Sequence, residues 1–459
     1  MSAVSAAMLE ASVARLAQGL RAARPRMLGL LADNGPEWLA IDLAAERAEV
    51  PLVPLPAFFT PQQLQHIVAA SGMDALFCPA PEVAQALGFR PAPAPEGASL
   101  PWFRRSAEPV ALPEGTAKVT FTSGTTGAPK GVYLGAAQQH AVALALAHAT
   151  RHLGLERHLC LLPLPVLLEN VAGFRAPLLA GAACCVPPLA EVGVGGATAF
   201  DPHACLAAME RWEAQSVILL PQMMLALTAA LEGGAPLPSR LRFAAVGGAK
   251  IAAASIVRAR RAGLPVYEGY GLSECASVVS LNVPGADRPG SVGRPLPHAQ
   301  VRIAHDGEIL VSGLATGDLG HLDAEGFLHV EGRRKNVLIT SFGRNVAPEW
   351  PEAELCAGGA IAQAAVFGDA RPQLCALVVP RSPGETDSAI DADVRRANAR
   401  LPDYARIAFW LRAEAPFSAA DGSATANGRV RRDVVWSRYG ERIESRYPTF
   451  AGAQQDAVL

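Results

Sequence analysis

The chain has 459 residues, of which 50% are hydrophobic and 18% charged, so a disordered protein is excluded and two or more domains are expected. Its formal charge of −2 argues against a nucleic-acid-binding protein, because such proteins are usually clearly basic. The eight cysteines show no Cys-x-x-Cys spacing, so we expect reduced thiols in a cytoplasmic protein. The first ten residues contain neither Lys nor Arg, and no apolar run is long enough for a transmembrane segment. Peripheral contact with a membrane stays open.

The first 270 residues alternate between helical and apolar, strand-like segments. Predicted helices cover residues 8–23, 136–150, 202–212 (capped by Asp201) and 251–262. Predicted strands cover residues 26–31, 50–55, 75–78, 118–121, 158–164, 182–186, 216–220 and 242–246. This alternation indicates an α/β fold with a large, multilayered N-terminal domain, in which flanking helices cover sheets rich in parallel strands.

The pattern changes near residue 300. Val301–His305 and Glu308–Ser312 flank Asp306-Gly307, a favoured hairpin turn. Beyond Lys335, the predicted strands are 364–367, 375–379 and 407–411, and the predicted helices are 390–400 and 429–439. We expect a large domain over residues 1–334 and a small α+β domain over residues 335–459.

A glycine-rich stretch, TFTSGTTGAPKG, runs from Thr120 to Gly131. It follows a predicted strand and precedes the predicted helix 136–150, a strand–loop–helix layout typical of phosphate binding. Glycines let the backbone approach an anion, hydroxyls donate hydrogen bonds, and a lysine adds positive charge. The predicted phosphate-binding residues are Thr122, Ser123, Gly124, Thr125, Thr126, Gly127 and Lys130. Lys130 does not directly follow the second glycine, so the spacing differs from the common nucleotide loop.

A second cluster, Tyr267 to Glu274, follows the start of another strand. The ring of Tyr270 can stack on a flat base, and Ser273 beyond Gly271 can donate to a phosphate oxygen. Glu274 can hold Mg²⁺, an ion that prefers carboxylate and phosphate oxygens. Taken alone, the cluster is equally consistent with a strand end that carries a solvated glutamate.

Both stretches resemble motifs of the adenylate-forming superfamily, which includes acyl-CoA synthetases, luciferases and the adenylation domains of peptide synthetases. The first resembles the phosphate loop, and the second resembles Tyr-Gly-x-Thr-Glu with Ser273 in the Thr position. The resemblance implies that ATP binds with Mg²⁺ held by Thr126 and Glu274. It further implies that Gly247-Gly248 lies between adenine and the acyl chain.

The same resemblance assigns roles to three residues near the domain boundary. Asp318 is expected to grip the ribose hydroxyls, and Arg333 to contact ribose and phosphate. Lys335 falls at the hinge about which the small domain turns between half-reactions.

The chain departs from the family pattern near its C-terminus. Thr425-Ala-Asn-Gly-Arg-Val-Arg-Arg432 places Arg429 where the catalytic lysine is expected. Arginine keeps the positive charge, but spreads it over a planar guanidinium group, whereas lysine concentrates it on a compact ammonium group. Our hypothesis is that Arg429 still stabilises the transition state of adenylation. The alternatives are that Arg431 or Arg432 serves, or that the protein binds ATP or an acyl-adenylate without turnover.

The resemblance implies ATP-dependent activation of a small-molecule carboxylic acid, fatty or otherwise apolar, with release of pyrophosphate. The acyl group would pass to the thiol of CoA or to the phosphopantetheine of an acyl carrier protein. Fatty acyl-CoA synthetases often carry Pro-Leu-x-His with Glu three residues on; here Val166 takes the His position and Glu169 fits. Residues 162–171 could equally line an acyl tunnel or form a buried strand and loop.

The histidines offer a weaker signal. His148, His152 and Glu156 lie four residues apart, a spacing that could align metal ligands. Gly154 interrupts them, so a partly exposed helix face is the preferred interpretation, and the histidines are not expected to form a metal site.

Overall fold

The computed structural model describes residues 4–123, 129–195, 199–342, 344–425 and 428–447. The chain divides into two compact units, Met1–Arg334 and Lys335–Leu459. The large unit is α/β, with two mainly parallel seven-stranded sheets and flanking helices, and the small unit is α+β. The predicted fold class is therefore confirmed.

The first sheet of the large unit contains β1 (Leu28–Leu30), β2 (Leu52–Pro54), β3 (Ala75–Phe77), β4 (Arg90–Pro91), β5 (Trp102–Arg104), β6 (Thr116–Ser123) and β7 (Pro129–Gly135). The strand order is β4-β5-β3-β1-β2-β6-β7. The four central strands are parallel, and β4, β5 and β7 pair antiparallel at the edges. The central strands β1, β2 and β3 are buried along their whole length, as expected for a sheet covered on both faces.

The second sheet contains β8 (Arg157–Leu159), β9 (Ala183–Cys185), β12 (Ser216–Leu219), β13 (Phe243–Val246), β14 (Val266–Leu272), β15 (Ser277–Leu281) and β16 (Arg294–Pro295); a separate ribbon pairs β10 (Val194–Gly195) with β11 (Ala199–Phe200). The strand order is β16-β15-β14-β13-β12-β8-β9, parallel from β14 to β9. The carboxyl ends of these parallel strands meet at one edge, where ligands of open α/β sheets bind.

A four-stranded antiparallel sheet completes the large unit: β17 (Val301–Ile303), β18 (Glu308–Val311), β19 (Leu314–Leu322) and β20 (Leu328–Arg333). Asp306-Gly307 forms its first turn, as predicted. The small unit has β21 (Leu338–Ile339) paired with β22 (Asn345–Val346), and a sheet of β23 (Ile361–Phe367), β24 (Leu374–Pro380) and β25 (Ile407–Arg412).

Twelve α-helices occur in the described residues: α1 (Ala6–Ala23), α2 (Pro36–Arg47), α3 (Pro61–Ser71), α4 (Pro81–Ala86), α5 (Ala136–Thr150), α6 (Ala176–Leu179), α7 (Pro202–Arg211), α8 (Pro221–Glu232), α9 (Ala253–Arg261), α10 (Glu349–Cys356), α11 (Asp387–Asn398) and α12 (Arg432–Glu444). A π-helix, Glu169–Arg175, leads into α6. The predicted cap is confirmed, since Asp201 accepts from His203 N at 2.9 Å and Ala204 N at 3.1 Å. Across the described ranges, none of these helices has the length and apolar character needed to cross a bilayer.

Two local predictions were wrong. The glycine-rich stretch does not lead straight into a helix, because residues 129–135 form β7, which pairs antiparallel with β6 before α5 begins. The strand predicted over 158–164 stops at Leu159. Beyond it the Asn34 side chain replaces a ladder partner, donating to Leu162 O at 2.9 Å and accepting from Leu164 N at 2.8 Å.

Candidate active site

The end of β14 is shaped by a close contact that requires glycine. The pairing of β14 with β15 shifts register between Tyr270 and Gly271. A Cβ atom on Gly271 would lie 1.8 Å from the carbonyl oxygen of Ser277, so no larger residue fits without moving the strands. The ladder continues past this irregularity to Leu272, which pairs with Ser277, and a 3-10 turn follows at Ser273–Cys275.

Three predicted ligand-binding residues come together beside this turn. The Tyr270 hydroxyl donates to Asp318 Oδ2 at 2.6 Å, and Arg333 Nε lies 2.7 Å from Asp318 Oδ1. Asp318 and Arg333 are opposite each other on β19 and β20. Arg333 is held in turn by Thr316, whose carbonyl accepts from Nη1 at 3.1 Å. The buried Asp318 carboxylate thus has both oxygens in polar contact and a fixed orientation.

The electrostatics keep Tyr270 a hydrogen-bond donor. Burial and the neighbouring Asp318 carboxylate raise the pKa of the Tyr270 phenol well above its ordinary value. Asp318 is an acceptor, and Tyr270 and Arg333 are donors. A cluster of this kind can exchange a protein hydrogen bond for a ligand hydroxyl with little rearrangement.

The predicted glycine strip lies at the carboxyl end of β13. A Cβ on Gly247 would be 2.9 Å from the carbonyl oxygen of Gly269, on the neighbouring strand β14. The strip therefore brings backbone close to the segment that carries Tyr270. A flat ligand can approach such a surface because no side chain projects from it.

Glu274 lies in the 3-10 turn after β14 and is exposed. Its carbonyl oxygen accepts from Gln138 Nε2 of α5 at 3.2 Å, so the turn is tied to that helix. An exposed carboxylate on a tethered turn fits an oxygen-seeking ion such as Mg²⁺. The other predicted ligand of the ion, Thr126, lies outside the described residues. Ser273, the predicted donor to a phosphate oxygen, is half-buried in the same turn as Glu274.

The described residues of the glycine-rich stretch belong to two paired strands, with residues 120–123 at the end of β6 and residues 129–131 at the start of β7. Gly124, Thr125, Thr126 and Gly127 fall outside the described residues. Their neighbours Thr122 and Ser123 pair in backbone register with Lys130 and Pro129. Lys130 is exposed at the start of β7. The phosphate-binding roles of these residues therefore stay predictions.

A buried ion network, which the sequence did not reveal, anchors β6. Lys118 Nζ lies 2.7 Å from Asp42 Oδ1 of α2 and 2.5 Å from Asn170 Oδ1 of the π-helix. Arg175 Nη2 lies 2.8 Å from Asp42 Oδ2. Burial would raise the pKa of Asp42, but the two cations lower it to about 2, and burial lowers the pKa of Lys118 to about 8. The network fixes β6 at Lys118, two residues before the glycine-rich stretch begins at Thr120.

The π-helix also carries the buried Glu169. Its Oε1 lies 3.2 Å from His158 Nε2 and its Oε2 accepts from Leu162 N at 2.9 Å. His158, Cys160 and Glu169 are the one group in the described ranges with metal-capable ligand atoms within 4.8 Å of one another. These atoms already have protein partners, since Cys160 Sγ donates to Gly173 O at 3.6 Å and His158 Nδ1 bonds Ser216 Oγ at 2.9 Å.

Other histidine and strand predictions in this region have mixed outcomes. Gly154 adopts a left-handed conformation and ends the turn after α5, as expected, so His148, His152 and Glu156 do not share one α-helix face. For residues 162–171, which could line an acyl tunnel or form a buried strand and loop, the structure has no strand and begins the π-helix at Glu169.

In the small unit, Arg429 is exposed and is bonded to Thr425. Thr425 N donates to Arg429 O at 2.7 Å, and Arg429 N donates to Thr425 Oγ1 at 3.1 Å. Arg432, three residues on, lies between Glu349 and Glu352 instead of facing solvent. Lys335 is exposed in the 3-10 turn Arg334–Asn336.

Comparison with protein families gives two matches that span most of the chain. The AMP-binding enzyme model matches residues 2–320, and the model of the AMP-binding enzyme C-terminal domain matches residues 335–451. The chain belongs to the AMP-binding enzyme family. The resemblance inferred from the two motifs is therefore confirmed at the level of the family.

Individual relatives are CoA ligases of several kinds. A long-chain-fatty-acid–CoA ligase of Mycobacterium bovis is 33% identical over 264 residues, which cover 48% of this chain. The match spans only 42% of that ligase. A feruloyl-CoA synthase from an Amycolatopsis species is 29% identical over 500 aligned positions, which cover 96% of this chain and 94% of the relative.

Solved structures share the fold over nearly the whole chain. An anthranilate CoA ligase in complex with anthranoyl-AMP has a TM-score of 0.76 at 19% identity and covers 94% of this chain and 91% of its own. An amide bond synthetase from Marinactinospora thermotolerans has a TM-score of 0.75 at 25% identity, with 95% of each chain covered.

Proposed function

We propose that the protein is an AMP-forming acid–thiol ligase that activates an apolar carboxylic acid with ATP. The observation that carries the proposal is the contact of Tyr270 and Arg333 with the buried Asp318 carboxylate, 2.6 Å and 2.7 Å away. A carboxylate held in this way can accept both hydroxyls of a ribose, while the Tyr270 ring supplies a face for a base. Membership of the AMP-binding enzyme family supports the same nucleotide.

In the proposed first step, a carboxylate oxygen of the acid attacks the α-phosphorus of ATP. The bond from that phosphorus to the bridging oxygen breaks, and pyrophosphate leaves with its electron pair. The main obstacle is charge crowding between the acid and the triphosphate. We assign its relief to the loop from Ser123 to Lys130 and to Arg429. Mg²⁺, when held by Glu274, would neutralise phosphate charge.

In the proposed second step, a thiol attacks the acyl carbonyl of the adenylate. A carbon–sulfur bond forms, the carbon–oxygen bond to AMP breaks, and the thiol proton passes to solvent. CoA is the favoured thiol, because several relatives are CoA ligases. The phosphopantetheine of a carrier protein is the alternative. We also propose a cytoplasmic location, which suits the eight cysteines that occur as free thiols.

The test is acid-dependent exchange of labelled pyrophosphate into ATP across fatty, aryl and short-chain acids. We expect exchange with at least one apolar acid, and its loss in Asp318→Ala. Exchange that stays absent across the panel, together with measurable ATP binding, would instead identify a binding protein without turnover. Three acceptors are then offered: CoA, a carrier protein that bears phosphopantetheine, and a simple amine. The amine is included because one solved relative is an amide bond synthetase.

A further inference from the structure

The side chain of Arg432, only 15% exposed, lies between two carboxylates of one helix. Nη1 is 3.3 Å from Glu349 Oε1, and Nη2 pairs with Glu352 Oε2. Glu349 and Glu352 are one turn apart at the start of α10, so a single guanidinium spans both. The planar guanidinium group, whose N–H donors point in fixed directions, is the cation best suited to two acceptors in fixed positions.

Both carboxylates are also held from other parts of the small unit. Glu349 Oε1 accepts from Nδ2 of Asn336, the residue directly after the predicted hinge Lys335. Glu352 Oε1 accepts from the backbone N of Val366 in β23 at 2.8 Å. The Arg432 side chain therefore ties the start of α12 to α10, to β23 and to the chain next to residue 335.

Residues 423–425 and 428–431, which flank and include Arg429, are hydrogen-bonded to each other, and Arg432 follows them directly. Gly428 N donates to Thr425 O at 2.8 Å, and Arg431 N donates to Ser423 O at 2.8 Å. Ala424 and Val430 form an antiparallel bridge. Because residues 423–425 and 428–431 are bonded to each other, the direction in which they carry Arg429 depends on where the two segments are fixed, at Ser423 by Ser418 and Asp421 and at the other end by Arg432.

We propose that Arg432 is a positioning residue that sets the place of Arg429 relative to the chain after Lys335. The inference rests on the proposed function, since Arg429 is assigned its role there. A shift of these two segments by about an ångström would move the Arg429 guanidinium away from the developing charge, a displacement that can lower a rate about 100-fold. Substrate binding by the large unit would be unaffected.

The experiment is a double-mutant cycle on pyrophosphate exchange with Arg432→Met, Arg429→Ala and the double variant. Arg432→Met should lower the maximal exchange rate about 10- to 100-fold and leave the KM for ATP within about threefold. The double variant should exchange no more slowly than Arg429→Ala alone, because Arg432 acts through Arg429. Arg442→Ala, which breaks an exposed pair between another arginine of α12 and Glu414, should match the wild type.

Folding is followed by circular dichroism in every variant. If Arg432→Met does not fold, Glu352→Gln replaces it in the cycle, since this change keeps Glu349 as partner of Arg432. Additive losses in the double variant, or an unchanged rate in the folded single variant, would overturn the inference. Absence of exchange in the wild-type protein would instead refute the proposed function, so the two failures are distinguishable.

Discussion

The Tyr270 hydroxyl donates to Asp318 Oδ2 over 2.6 Å, although the two residues are 48 positions apart in sequence. Tyr270→Phe keeps the aromatic face and removes this donor. We expect the KM for ATP to rise at least about tenfold, since a hydrogen bond to a charged group contributes about 1.5–3 kcal/mol. Steady-state kinetics in ATP measures the change, and Tyr404→Phe, at an exposed tyrosine of the small unit, is the control. An unchanged KM would show that the Tyr270 hydroxyl makes no contribution to ATP binding.

Replacements of Arg429 separate charge from shape. Arg429→Ala should lower the rate of pyrophosphate release at least 100-fold, because the transition state loses a cation. Arg429→Lys keeps the charge and should retain activity to within about tenfold. The exposed Arg395 of α11 provides the control variant Arg395→Ala. Pyrophosphate release by Arg429→Ala at the wild-type rate would refute the assignment.

The buried network around Asp42 should be essential for stability. Asp42→Asn leaves the buried Lys118 without its ion-pair partner and Arg175 with Glu46 alone, which should cost about 3–5 kcal/mol of unfolding free energy. Urea unfolding measures the loss. Glu10→Gln, which breaks an exposed pair with Arg47, should cost less than about 1 kcal/mol. Equal effects of the two changes would mean that the network contributes no more than a surface pair.

Glu352 should make stability depend on pH. Burial raises its pKa to about 7, against the opposing effects of Arg432 and the Val366 N–H, while Glu349 raises it further. Because the folded-state pKa exceeds the unfolded value, the contribution is complete below about pH 4.5 and is lost as pH rises through 7. Relative to Glu352→Gln, the wild type should lose up to about 3 kcal/mol between pH 4.5 and 8. Parallel pH profiles in urea unfolding would contradict this.

Local sequence signals predicted local structure well. The Ala- and Leu-rich segment 136–150 forms α5 with the predicted ends, and Asp306-Gly307 makes the predicted hairpin turn. The motif around Tyr270, together with Asp318 and Arg333 near the domain boundary, identified residues that the structure brings into contact. The strand β7 was missed because a short segment next to a glycine-rich loop carries too weak a pattern to show which strand it pairs with.

By itself, the sequence determined the α/β and α+β character of the two parts, the family, and the nucleotide-site candidates, because periodicity, turns and motifs act over a few neighbouring residues. Only the tertiary structure decided that Lys118 pairs with Asp42, that Glu169 meets His158, and that Arg432 spans Glu349 and Glu352. These charged side chains meet because elements far apart in the sequence pack together. The residues next to a side chain in the sequence do not indicate which distant residue it will contact.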